Sequence, residues 1–111
     1  MNKKTEQPGY IAVFITVKED EEARKIAKSL VKRRLAACVN ILPEVESHFW
    51  WEDKLDSIKE ILLIAKTKEP LLPELTKAVK RLHSYDVPEI IALPITGGSR
   101  DYLEWIDSEV I

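Results

Sequence analysis

Apolar residues fall along this chain in two rhythms, one of period two and one near 3.6, and the switches between them mark its elements. Tyr10 to Val17 carries Ile, Val and Phe with no polar residue before Thr16, which predicts a strand covered on one face or both. From Asp20, a plausible N-cap, Ala23, Ile26, Ala27, Leu30 and Val31 recur at helical spacing. Glu21, Arg24, Lys25, Lys28 and Lys32 fall on the opposite side, and Glu21 and Lys25 stand at the i,i+4 spacing that supports a helix.

Ala36 to Trp50 then alternates as an extended segment, with Val45, Ser47 and Phe49 on one side and Glu44, Glu46 and His48 on the other. Pro43 marks a bend or bulge within it. Trp51-Glu52-Asp53-Lys54 is a polar turn, and Ile58 to Thr67 supplies the returning strand of one long hairpin. A second amphipathic helix follows, with Leu71, Leu75, Ala78, Val79 and Leu82 on one face. Pro70 and Pro73 fit its first turn, where the missing N–H has no intrahelical acceptor. Ile90 to Ile95 is the last strand, flanked by Pro88 and Pro94, and Ser99 is placed to cap a short helix through Trp105.

Strand, helix, strand, strand, helix, strand is the order of the ferredoxin-like split βαβ sandwich. The fold class is therefore α+β, with an antiparallel sheet, two helices on one face and a short C-terminal helix. Fifteen residues of strand reach about 50 Å, whereas a domain of this length is roughly 35 Å across. The hairpin must bend or overhang. An overhanging pair of strands carrying Phe49, Trp50, Trp51 and Leu55 exposes sheet edges and aromatic surface that a neighbouring subunit would cover.

A chain of 111 residues holds one domain, placed at 10–111, behind a flexible lead at 1–9. The 17 basic and 19 acidic residues are interspersed, which leaves no basic stripe for a phosphate backbone and removes nucleic acid as a partner. Residues 1–8 lack the apolar core of a signal peptide, and charges interrupt every apolar run before membrane length, so a cytoplasmic protein with no membrane partner is expected. Cys38 is the single cysteine; it reads as a small buried hydrophobe, with a reactive or metal-binding thiol as the alternative.

Arg34-Leu35-Ala36-Ala37-Cys38-Val39-Asn40-Ile41, Trp50-Trp51-Glu52-Asp53-Lys54, Lys66-Thr67, His83-Ser84-Tyr85-Asp86-Val87-Pro88-Glu89-Ile90-Ile91 and Tyr102-Leu103-Glu104-Trp105 together resemble the CutA divalent-cation tolerance family, in the family's order and across nearly the whole chain. The resemblance implies a ferredoxin-like subunit in a tight homotrimer, and a role in tolerance of copper and other divalent cations, with copper bound by some members. Where metal-binding relatives carry a cysteine at the end of the first strand and a pair of histidines, this chain has Ile15, then Leu82 with His83. It keeps one of three ligand positions.

His83 is thus the candidate metal residue, with copper or another divalent cation as its ligand. Its structural alternative is to end the second helix, favoured by the helix dipole and capping a carbonyl. Glu46 and His48 share a strand face and form a weaker pair that would chelate across a subunit boundary. Lys66, Tyr85, Glu89 and Trp105 are the candidates for a cleft between subunits. They form either an interface with a Lys66–Glu89 ion pair or a pocket for a small anion, with Lys66 supplying charge and Tyr85 a hydrogen bond. Phe49, Trp50 and Trp51 are the expected trimer anchors.

No Ser-His-Asp, Cys-His or zinc-hydrolase spacing is present, and no enzyme activity is expected. The leading function is a non-enzymatic trimer of metal tolerance. The alternative is a small-molecule or nucleotide sensor resembling the nitrogen-regulatory proteins, for which Gly97-Gly98-Ser99 is a thin phosphate loop. An acylphosphatase-like hydrolase needs an arginine in a glycine-rich loop after the first strand, where Val17-Lys18-Glu19-Asp20 has neither.

Overall fold

The computed structural model describes residues 9–111; of the flexible lead expected at 1–9, all but Gly9 lies outside the described residues. Strand β1 (Tyr10–Val17) leads into helix α1 (Asp20–Lys32), then β2 (Cys38–Trp51), β3 (Lys54–Lys68), helix α2 (Leu72–Leu82), β4 (Ile90–Ile95) and helix α3 (Arg100–Glu109). The sheet is antiparallel with strand order β2-β3-β1-β4, as the split βαβ pattern requires. A 3₁₀ turn at Glu69–Leu71 precedes α2, and Pro70 and Pro73 occupy early turns whose N–H groups have no acceptor.

Alternation along the strands sorts their side chains by face. Ile11, Val13, Ile15 and Val17 of β1 and Ile61, Leu63 and Ala65 of β3 point one way and are buried under Ala23, Ile26 and Leu30 of α1 and Leu75, Ala78 and Val79 of α2. Each fully buried Ile or Leu contributes about 1.5–3 kcal/mol relative to exposure. Thr67, in the same row and fully buried, satisfies its hydroxyl on the Leu35 carbonyl at 2.7 Å.

The opposite sheet face has no such cover. Register places Phe14, Ile64 and Ile91 across from one another, with Leu62, Leu42 and Leu93 nearby in the same rows. Ile91, Leu93 and Leu42 are 51%, 43% and 37% exposed.

Helix α1 ends without glycine. Arg34 takes φ 59°, Leu35 donates its N–H to the Leu30 carbonyl and Arg34 donates to Val31, the paired bonds of a Schellman stop, sealed by buried Leu30 and Leu35. The Arg34 guanidinium also meets the Glu109 carboxylate at 3.1 Å, tying the end of α3 to the end of α1.

Four local expectations change. The N-cap of α1 is Glu19, so Asp20 is the first helical residue and complements the helix dipole instead of capping. Val31 is exposed, because the apolar stripe has rotated off the sheet by the last turn. Ser99 does hold the N-cap position of α3 but its side chain makes no capping bond. That helix continues past Trp105 to Glu109, since Ile106 is fully buried and secures another turn.

The hairpin runs as expected and is longer than its apolar residues alone indicated. Its two-residue turn, Glu52-Asp53, has φ 50° and 65°, the geometry whose twist matches paired strands. Beyond the end of β1 the hairpin projects, giving extents of 48 × 30 × 24 Å and a radius of gyration of 15.1 Å, against about 13 Å for a compact chain of this length. At Pro43-Glu44 the β2–β3 register slips by one residue, from Leu42↔Leu62 to Val45↔Glu60, which is the bulge the proline foretold.

Candidate functional site

The base of the projecting hairpin and the loop after α2 enclose a cleft of about 760 Å³. Past the bulge, β2 turns Ser47, Phe49 and Trp51 toward it, with His48 also in its lining. Asp56, Ile58 and Glu60 come from β3, and Thr16 and Lys18 from the end of β1; the loop supplies Tyr85, Asp86, Val87 and Glu89.

His83 fixes that loop. Its ring is buried, and Nε2 stands 2.7 Å from the Thr16 carbonyl while Nδ1 stands 3.1 Å from the Tyr85 backbone N–H. A carbonyl only accepts and an amide N–H only donates, so the proton sits on Nε2 and the Nδ1 lone pair is taken. Glu22 of α1 completes the arrangement, accepting from the Ser84 N–H at 2.9 Å and its hydroxyl at 3.3 Å.

Two expectations for His83 are corrected by this geometry. It does end α2, but its ring bonds a carbonyl of β1 and caps nothing on its own helix. As a metal ligand it has no lone pair to give. Among the described residues no three His, Cys, Asp or Glu side chains gather to hold a metal ion, so the residues of one chain do not fit the implied copper centre. Glu46 and His48 do pair, Nε2 to Oε2 at 2.8 Å, on the exposed face of the hairpin.

Tyr85 packs against the His83 ring, centroids 4.8 Å apart and tilted 51°. Its hydroxyl donates to Glu60 Oε2 at 2.7 Å, and the Ser47 hydroxyl donates to Glu60 Oε1 at 2.6 Å. Glu60 is only 7% exposed. Burial first, and then the Glu60 carboxylate that accepts its hydrogen bond, push the Tyr85 phenol well above the ordinary tyrosine range. Glu89 accepts weakly from the Thr16 hydroxyl at 3.4 Å.

Of the four cleft candidates the structure brings Tyr85 and Glu89 together and leaves Lys66 and Trp105 elsewhere in the chain. Lys66 lies six residues from Glu60 along β3, roughly 20 Å away, and its ammonium contacts the Asn40 side-chain oxygen. Trp105 pairs with Tyr102 on α3, centroids 5.4 Å apart. Partial burial and then the adjacent Cys38 thiol raise the Tyr102 phenol above its usual value. No Lys66–Glu89 ion pair forms within the chain. The small-anion pocket does not fit within one chain either, since Asp56, Glu60, Asp86 and Glu89 face the cleft and Lys18 is the one lysine there among the described residues.

Phe49 is half-buried in the cleft wall, while Trp50 and Trp51 are 70% and 55% exposed toward the hairpin tip. Sequence reasoning passed over Glu60, Ser47 and Thr16. One signal was available for Glu60, which interrupts the otherwise apolar alternate row Ile58, Leu62, Ile64.

A family model described as CutA1 divalent ion tolerance protein matches residues 11–109. A rice relative, "Protein CutA 1, chloroplastic", is 53% identical over 96 residues, covering 86% of this chain and 54% of that protein. The chain thus spans about half the length of its plant relative. The divalent-cation tolerance protein CutA of Thermus thermophilus is 51% identical over 94 residues, covering 85% of this chain and 91% of the relative. A solved structure from Archaeoglobus fulgidus, described as a periplasmic divalent cation tolerance protein CutA, superposes with a TM-score of 0.89 at 42% identity, covering 92% of this chain and 99% of that one. The chain belongs to the CutA family of divalent-cation tolerance proteins. Its relatives are described with chloroplastic and periplasmic locations, and no helix among the described residues is long and apolar enough to cross a membrane.

Proposed function

We propose that the chain works as a cytoplasmic, non-enzymatic homotrimer in tolerance of divalent cations, copper among them. The observation that carries the assembly is the bare sheet face, where Ile91, Leu93 and Leu42 are left to water on the side away from the helices. A contiguous apolar face on one side of a sheet marks a surface that another chain covers, and closed rotational symmetry lets three copies cover theirs alike. The exposed hairpin-tip residues Trp50, Trp51 and Leu55 supply further contact area. Joining Lys66 and Trp105 to Tyr85 and Glu89 then requires a second subunit.

Copper binding in such a trimer rests on ligands from more than one chain, because His83 is engaged internally and the Glu46–His48 pair offers two donors where a copper site takes about four. The acidic cleft gives no support to a nucleotide sensor. Sedimentation equilibrium at micromolar concentration tests the assembly, with a mass of three chains expected and a single-chain mass overturning it. Growth of copper-sensitised cells with and without the chain tests the role; equal growth across a copper series refutes it.

A further inference from the structure

Glu60 presents an unusual charge balance. Its carboxylate is 7% exposed, yet none of the ion pairs among the described residues includes it. Two hydroxyls, from Ser47 and Tyr85, each fill one acceptor position on a different oxygen. A carboxylate has about four such positions, so roughly half of its capacity is open, and it faces the cleft. A buried carboxylate held only by neutral donors is costly unless a cation compensates it.

The walls decide what kind of cation fits. A hard divalent ion asks for six or more oxygens, but Phe49, Trp51, Ile58 and Val87 make much of this surface apolar, and no three metal-ligating side chains gather among the described residues. Within one chain a phosphate or carboxylate ligand meets four acids against Lys18 and the imidazole of His48, itself paired with Glu46. An ammonium on an apolar body answers both features, because aromatic faces attract cations as well as apolar groups and the open lone pairs of Glu60 take charge-assisted N–H bonds. The volume of about 760 Å³ suits a small molecule.

We propose that this cleft binds a small organic cation, a primary ammonium carried on an apolar or aromatic body, with Glu60 as its charge partner. This goes beyond metal tolerance and does not depend on it. Lys18, exposed at the rim and without an ion pair among the described residues, limits the site to ligands of compact charge.

The test is calorimetric titration of the assembled protein with 2-phenylethylammonium chloride, beside the neutral 2-phenylethanol and the anionic phenylacetate. The amine is expected to bind saturably, one per chain, with the alcohol and the acid weaker by about tenfold or more, as loss of a charged hydrogen bond implies. Glu60→Gln, which keeps size and needs only that one of the two hydroxyls turn to accept from the new amide N–H, is expected to weaken the amine to the level of the alcohol, with circular dichroism and sedimentation unchanged. Equal binding of amine and alcohol would reduce the cleft to an apolar cavity and overturn the proposal. Absence of amine binding would also overturn it and would mean that another subunit already compensates the charge. If Glu60→Gln fails to fold, the ligand series on the unaltered protein still decides.

Discussion

The Tyr85 hydroxyl donates to Glu60 Oε2 across 2.7 Å, joining the loop after α2 to the middle of β3, 25 residues away in sequence. Burial and the adjacent carboxylate raise the phenol's pKa in the folded chain above the 10.0 of free tyrosine. A raised pKa means that stability from this bond is complete below about pH 10 and is lost as pH rises from the unfolded value through the folded one. Spectrophotometric titration is expected to show the Tyr85 phenol ionising well after free tyrosine, with Tyr102 also delayed. Tyr85→Phe removes that late step and flattens the alkaline fall in stability; an unchanged titration curve contradicts the assignment.

His83→Ala leaves the Thr16 carbonyl and the Tyr85 N–H unpaired in a buried place and opens a ring-sized void. A loss of about 3 kcal/mol is expected, measured as a shift of the urea midpoint at fixed protein concentration. His83→Gln, able to reach one partner, should lose less. A titration of copper into His83→Ala should match the unaltered chain, since both ring nitrogens are already committed; weakened copper binding would restore the ligand role.

Glu52 and Asp53 both hold left-handed backbone, at roughly 1 kcal/mol or more for Glu52 and less for Asp53, whose short polar side chain tolerates it. Replacing the pair by Asn-Gly, the preferred residues for this turn, is expected to stabilise the hairpin by about 1 kcal/mol. Denaturant unfolding at constant concentration is the measurement, and a destabilised variant would indicate that the original side chains make contacts in the assembly.

Trp50→Ala with Trp51→Ala leaves the core of a chain intact, because both side chains are over half exposed, but removes apolar area from the proposed contact between subunits. Dissociation at a protein concentration at least tenfold higher than for the parent is expected by sedimentation velocity, with the far-ultraviolet circular dichroism retained. A fully stable trimer would relocate the anchors to the sheet face around Ile91 and Leu93.

Strands β1 and β4 were legible to the residue, because unbroken Ile, Val and Phe runs between polar or proline boundaries leave little choice of ends. Helix ends were less so, since a non-glycine stop at Arg34 and an extra turn beyond Trp105 depend on contacts with Leu30 and around Ile106 that lie outside any local pattern. The cleft was partly legible. Tyr85 and Glu89 stood out beside each other, whereas Glu60 and Ser47 become neighbours only through strand pairing. Lys66 was grouped with them by its place in a motif, and proximity in a motif says nothing about which end of a 15-residue strand a side chain occupies.

The extra residue at Pro43-Glu44 sets the parity of everything that follows on β2. Before it, even-numbered side chains share a face with Leu62, Ile64 and Lys66; after it, odd-numbered ones share a face with Glu60, Ile58 and Asp56. Deleting one residue there would straighten the ladder, with a single residue between Leu42↔Leu62 and Val45↔Glu60, so Ser47, Phe49 and Trp51 would keep their places beside Glu60, Ile58 and Asp56. The bulge at this proline is therefore a one-residue reserve of strand length, and its loss would change the bend and twist of the hairpin while leaving the chemistry of the cleft as it is.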